Sequence, residues 1–185
     1  MTVYRDAAIR PRHVLVTGMF VAYLALLVWL VLFKLHAPYI GGAEDRTLKL
    51  VPFVAADGLG SNAPREVLAN LVLFVPFGIL MGLIAPSWSW WKTLGSVALF
   101  SAALETAQWV LAIGAADLTD VIVNTAGGVL GMLLLGLSRL AFGPRARGAW
   151  AVIVAIGLVG AVLALALSAL DPAPGGLAPL KFAAG

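Results

Sequence analysis

The chain has 185 residues, of which 62% are hydrophobic and only 11% charged, with a mean hydropathy of +1.00. A soluble domain carries about 25% charged residues and needs that polar surface to cover its core, so the composition excludes a soluble globular protein, a disordered chain and a nucleic-acid binder. Twelve Lys and Arg against nine Asp and Glu leave a net charge of +3, too little for a polyanion-binding surface.

There is no cysteine, which removes disulfides, zinc–thiolate sites, iron–sulfur clusters and thiol nucleophiles together. The two histidines, His13 and His36, flank the first apolar run, so no two-histidine metal site is expected. Neither a metal nor a cofactor is expected.

A hydrocarbon core about 30 Å thick needs roughly 20 apolar residues in helix. Five segments qualify: residues 14–33, 67–85, 93–113, 121–142 and 149–170. Backbone amides in lipid must be satisfied within the segment, so each is expected to be helical. The fold class is therefore all-α: a polytopic integral membrane protein with a bundle of five transmembrane helices. Residues 14–170 form one membrane domain, between a tail at 1–13 and a C-tail at 171–185 whose Pro- and Gly-rich start reads as disordered. The first segment follows a basic stretch, as a signal peptide does. Its apolar run is too long for one, and no small-x-small cleavage site follows it.

Lys and Arg in short loops set the orientation. Arg5, Arg10 and Arg12 precede helix one, Lys92 follows helix two, and Arg139, Arg145 and Arg147 follow helix four. The turn after helix three has none. The N-terminus is thus expected inside, in the bacterial cytoplasmic membrane, and the C-terminus outside. The long first loop contains an apolar stretch, residues 48–55, too short to span and expected to be re-entrant or interfacial on the outer face.

Helices one and five lack strongly polar side chains, whereas helix two has Asn70 and Pro76, helix three Glu105 and Gln108, and helix four Asp120 and Asn124. Ionisable groups at membrane depth usually face a bundle interior or a wet cavity. Ser101, Glu105, Gln108 and Ala112 share one helix face, as do Asp120, Asn124, Gly127 and Gly131. The two glycines predict a close approach of helices three and four. At about 1.5 Å per residue, Asn70, Gln108, Asn124 and Glu105 all lie roughly 5–12 Å inside the outer boundary. Asn70, Gln108 and Asn124 are equally the kind of residue that joins membrane helices by hydrogen bonds. Asp117 and Asp120 also suit the start of helix four. Glu105 has no such simple structural use.

These residues carry a resemblance. Asn70-Leu71-Val72-Leu73-Phe74-Val75-Pro76-Phe77-Gly78 resembles an N-x-x-x-F-x-P-x-G block, and Glu105-Thr106-Ala107-Gln108 an E-x-x-Q pair. Residues 117–128 resemble a D-x-x-D-x-x-x-N-T-x-G-G block, and Arg46 to Phe53 an R-x-x-N-L-x-P-F segment. In this order, over about residues 46–135, they are similar to the VanZ-like family of small bacterial membrane proteins. The resemblance implies a cell-envelope context, since the family's founding member is associated with low-level teicoplanin resistance. Two positions depart from it: Gly114 stands where the family usually has Arg, and Lys49 where relatives often have Asn. If that Arg pairs with the buried Glu in relatives, this chain must use another cation, such as Arg46, or keep Glu105 neutral.

The leading expectation is an outward-facing polar cavity among helices two, three and four that binds or acts on an amphiphile: a lipid, a lipid-linked wall precursor or a lipoglycopeptide. Asn70, Gln108, Asn124, Arg46 and Asp117 are the candidate binding residues. An enzyme would use Glu105 as general acid or base, with Asp120 orienting substrate or holding a hard cation. A structural partner in an envelope complex is the third class.

Overall fold

The computed structural model describes residues 11–33, 39–42, 46–54 and 63–170. Its elements run α1 (Pro11–Phe33), β1 (Thr47–Lys49), α2 (Pro64–Ile84), α3 (Trp90–Leu111), β2 (Ala115–Asp117), α4 (Leu118–Phe142) and α5 (Arg145–Leu170). All five helices are long and apolar enough to cross a membrane. The expected tail at 1–13 falls mostly, and the disordered C-tail wholly, outside the described residues.

The helices start up to four residues before the apolar runs do. Pro64 sits in the first turn of α2, where a missing amide costs nothing and its fixed φ suits the helix. Asp117 caps α4, accepting the Thr119 amide at 2.7 Å. Both signals are polar or turn chemistry, which a hydropathy window trims away. Inside α2, Pro76 removes one amide from the helical ladder. Tyr23 of α1 donates its hydroxyl at 2.7 Å to Leu73 O, the carbonyl next to the Val72 O that Pro76 leaves without its helical donor, and so ties α1 to this turn of α2.

Helices α2 and α4 make the most extensive contact, and glycine permits it. A Cβ on Gly78 would enter Gly128 O, one on Gly127 would enter Leu71 O, and one on Gly131 would enter Val75 O. This corrects the expectation that Gly127 and Gly131 bring α4 against α3; they meet the α2 backbone instead. Helical periodicity identifies which residues share a face but not which helix covers it. Gly128 is the glycine that meets α3, where a Cβ would lie 2.7 Å from the Val97 side chain. Phe20, Phe77 and Phe100 join α1, α2 and α3 in the core, with ring centroids 5.3 and 5.4 Å apart along that series.

At one end of the bundle β1 and β2 form a parallel pair in the register Thr47↔Ala115, Leu48↔Ala116, Lys49↔Asp117. Beyond β1 the chain turns through Phe53, whose amide donates to Thr119 Oγ1 at 3.0 Å. Leu48, Leu50, Val51, Phe53 and Val54 are all exposed. The described part of the short apolar stretch, residues 48–54, is thus the end of β1 followed by a turn over the α3–α4 junction, with its large apolar side chains outward.

Candidate functional site

The strand pair positions a buried ionic cluster. Register places Lys49 beside Asp117, and Lys49 Nζ lies 3.0 Å from Asp117 Oδ2. Both residues are buried. The other carboxylate oxygen of Asp117 holds the α4 cap, while its backbone amide donates to Glu105 Oε2 at 2.8 Å. Glu105, only 5% exposed, thereby ties the middle of the α3 polar face to the first residues of α4. One lysine, two carboxylates and two backbone amides lock β1, α3, β2 and α4 together.

The cation of this cluster is the one that sequence reasoning missed. Gly114 provides none, and Arg46 is exposed and works elsewhere. Its guanidinium donates to Val110 O at 3.2 Å and stands over the Trp109 ring, 5.8 Å from the centroid. Together with the Gly41 amide on Leu111 O at 2.9 Å, it satisfies carbonyls at the α3 C-terminus, where a cation also suits the helix dipole. The signal for Lys49 was its unusual place in an apolar stretch, but its partner lies two helices further along the chain.

Two amides extend the polar face of α3 in opposite directions. Asn124, 1% exposed, donates to the fully buried Ser101 Oγ at 2.9 Å. Gln108, 6% exposed, donates to Val31 O of α1 at 3.0 Å. The remaining oxygens, Asn124 Oδ1 and Gln108 Oε1, are buried and receive no hydrogen bond. A buried acceptor without a donor is uncommon and marks a place for water or a ligand. Asn70 is half-buried on α2 and stands outside this hydrogen-bonded set, and Asp120 is half-buried in the first turn of α4. The structure thus gathers Glu105, Asp117 and Asn124 with Ser101 and Lys49 on the α3–α4 face, and turns Gln108, on the same face of α3, toward α1. It leaves Arg46 at the rim and Asn70 on α2, with Asp120 in the first turn of α4 beside the cap. Among the described residues no group of three metal-ligating side chains forms. A cavity of about 430 Å³ lies elsewhere, between α1, α2 and α5, and is lined almost wholly by apolar side chains.

Comparison with known proteins agrees with this core. Residues 20–139 match the family model described as VanZ/LLP1. The chain is 38% identical over 128 residues to Protein VanZ of Enterococcus faecium, an alignment covering 68% of this chain and 76% of that protein. No solved structure matches.

Proposed function

This chain belongs to the VanZ/LLP1 family, and from that premise we propose that it is an envelope protein whose α3–α4 polar face binds the head of an amphiphile. The N-terminus lies inside and the strand-pair end faces outward. The ligand is a lipid, a lipid-linked wall precursor or a lipoglycopeptide of the teicoplanin class. The observation that carries the reading is the pair of donorless buried oxygens, Gln108 Oε1 and Asn124 Oδ1, on either side of Glu105. They call for hydrogen-bond donors, which sugar hydroxyls and peptide amides supply in quantity. The exposed apolar stretch from Leu48 to Val54 suits the lipid portion of such a molecule.

Binding is favoured over catalysis by how the carboxylates are used. Asp117 is held by a lysine and an amide, and Glu105 accepts an amide that orders the start of α4. A general acid or base must exchange its proton with substrate, whereas these groups hold backbone in place. Gln at position 105 can still accept the Asp117 amide. The test is teicoplanin susceptibility of a sensitive Gram-positive host expressing each variant at matched membrane levels. Glu105→Gln is expected to keep protection, while Gln108→Leu and Glu105→Ala lose it. Loss in Glu105→Gln at an unchanged level favours the acid–base alternative. Full protection from all three removes the polar face from the function.

A further inference from the structure

A cluster of basic residues lies at the opposite end of the bundle. The segments 85–92 and 139–148 hold Lys92, Arg139, Arg145 and Arg147 and no acidic residue. The acidic residues among those described, Glu66, Glu105, Asp117 and Asp120, are at the strand-pair end or on the helices leading from it. Arg139 on α4 donates to Gly82 O at the end of α2, and its buried Nε–H has no acceptor. The indole of Trp150 on Ser138 sets the first turns of α5, which carry Arg147, against this end of α4. Two guanidiniums at one end of the bundle, one of them with an unused buried donor, call for an anion with several acceptor oxygens.

The apolar cavity says what that anion is attached to. Trp150 lines it and donates its indole N–H to Ser138 Oγ at 2.7 Å, next to Arg139. Arg147 and Trp150 are three residues apart on α5, so they share a face. That face continues through Val154, Gly157 and Ala161, all lining the cavity. From Trp150 to Ala161 it runs about 16 Å, roughly half of the ~30 Å hydrocarbon core and so one leaflet's depth. The volume of about 430 Å³ falls within the range of specific ligand sites. Gly157 leaves open space at the groove wall. Trp150 stands between cations and groove, where an indole at a membrane interface prefers to lie.

We propose that this end binds one anionic phospholipid, its phosphate between Arg139 and Arg147 and one acyl chain in the groove between α1, α2 and α5. The site is separate from the α3–α4 face and does not depend on what that face binds. The charge favours a phosphate, and the groove favours a lipid over a free phosphate ion.

Native mass spectrometry of the full chain in mild detergent tests it, with dioleoyl-phosphatidylglycerol, dioleoyl-phosphatidylcholine and inorganic phosphate as separate probes. Both lipids carry the phosphate, but the choline ammonium cancels its charge, so the phosphatidylglycerol is expected to bind at least about fivefold tighter, the preference that one near-surface guanidinium gives for a net anionic lipid. Arg147→Gln, which leaves the Arg139 bond to α2 in place, should reduce that preference about fivefold. Gly157→Leu should weaken both lipids together by filling the groove. Equal binding of the two lipids by the parent protein, or a preference untouched by Arg147→Gln, overturns the headgroup assignment. Unchanged lipid binding in Gly157→Leu, or phosphate adducts as strong as the phosphatidylglycerol's, overturns the role of the groove.

Discussion

Lys49→Met tests the ionic lock that joins the first loop to the α3–α4 junction. Methionine matches the lysine stem in length and leaves the Asp117 carboxylate buried with its cation gone. At 3.0 Å and an effective dielectric of 20, the lost attraction is about 5.5 kcal/mol, most of it offset in the parent protein by the desolvation of both charges. Breaking a buried pair from one side typically costs about 3–5 kcal/mol, and the side chains here are only 5% and 10% exposed. Asp117→Asn should cost a similar amount, because Lys49 is then the stranded charge. The double variant should recover to within about 1 kcal/mol of the parent protein, since asparagine still caps α4 and neither member of the pair is left stranded, while Glu105 keeps the Asp117 backbone amide. Unfolding in mixed micelles with rising dodecyl sulfate, followed by tryptophan fluorescence, gives all four corners of the cycle. Losses that simply add, with a coupling below about 0.5 kcal/mol, refute the reasoning: Lys49 and Asp117 would then act independently.

The α2–α4 contact predicts a contrast between two glycines on one helix. Gly131→Leu should lose folded yield in detergent because its Cβ meets the α2 backbone, while Gly136→Leu, with open space around it, should stay within about 0.5 kcal/mol of the parent; equal behaviour removes the close approach. Tyr23→Phe should cost about 1 kcal/mol in the same micelle assay, through the hydrogen bond from α1 to Leu73 O that it removes; no measurable loss means that this bond does not help to hold α1 against α2. The cysteine-free chain allows a direct test of orientation. A cysteine at Leu50 should react with an impermeant thiol reagent on intact cells and one at Ser87, exposed in the turn between α2 and α3, only after permeabilisation; the reverse pattern inverts the topology.

The five helices were legible because each carries its own signal, a run of about 20 apolar residues that no other membrane structure accommodates. Glu105 was legible for the converse reason: a carboxyl in such a run requires a partner. What a one-dimensional pattern does not contain is the neighbour. The face holding Gly127 and Gly131 was visible, but its partner helix was not, and the adjacent Gly128 turned out to be the contact with α3. Lys49 was read only as a departure from relatives. Strands of three residues are too short for any alternation to show, and that pairing is what brings Lys49 to Asp117. Arg46 drew attention by its charge, yet the carbonyls it satisfies belong to a helix end that the hydropathy window placed two residues further on.

Parallel pairing of β1 with β2 also fixes an order of events during synthesis. The ribosome makes Lys49 first, then two complete helices, and only then Asp117. At roughly 5–20 residues per second, β1 waits about 3–13 s for its partner. During that interval its open edge and its lysine must stay solvated beside the bilayer, in the company of the insertion machinery. The strand pair therefore closes only after α2 and α3 have both crossed with the correct sense. A chain in which either helix fails to insert brings Ala115–Asp117 to the wrong side and leaves the edge of β1 and the Lys49 ammonium without partners. The smallest sheet in the molecule thus works as a receipt for completed insertion.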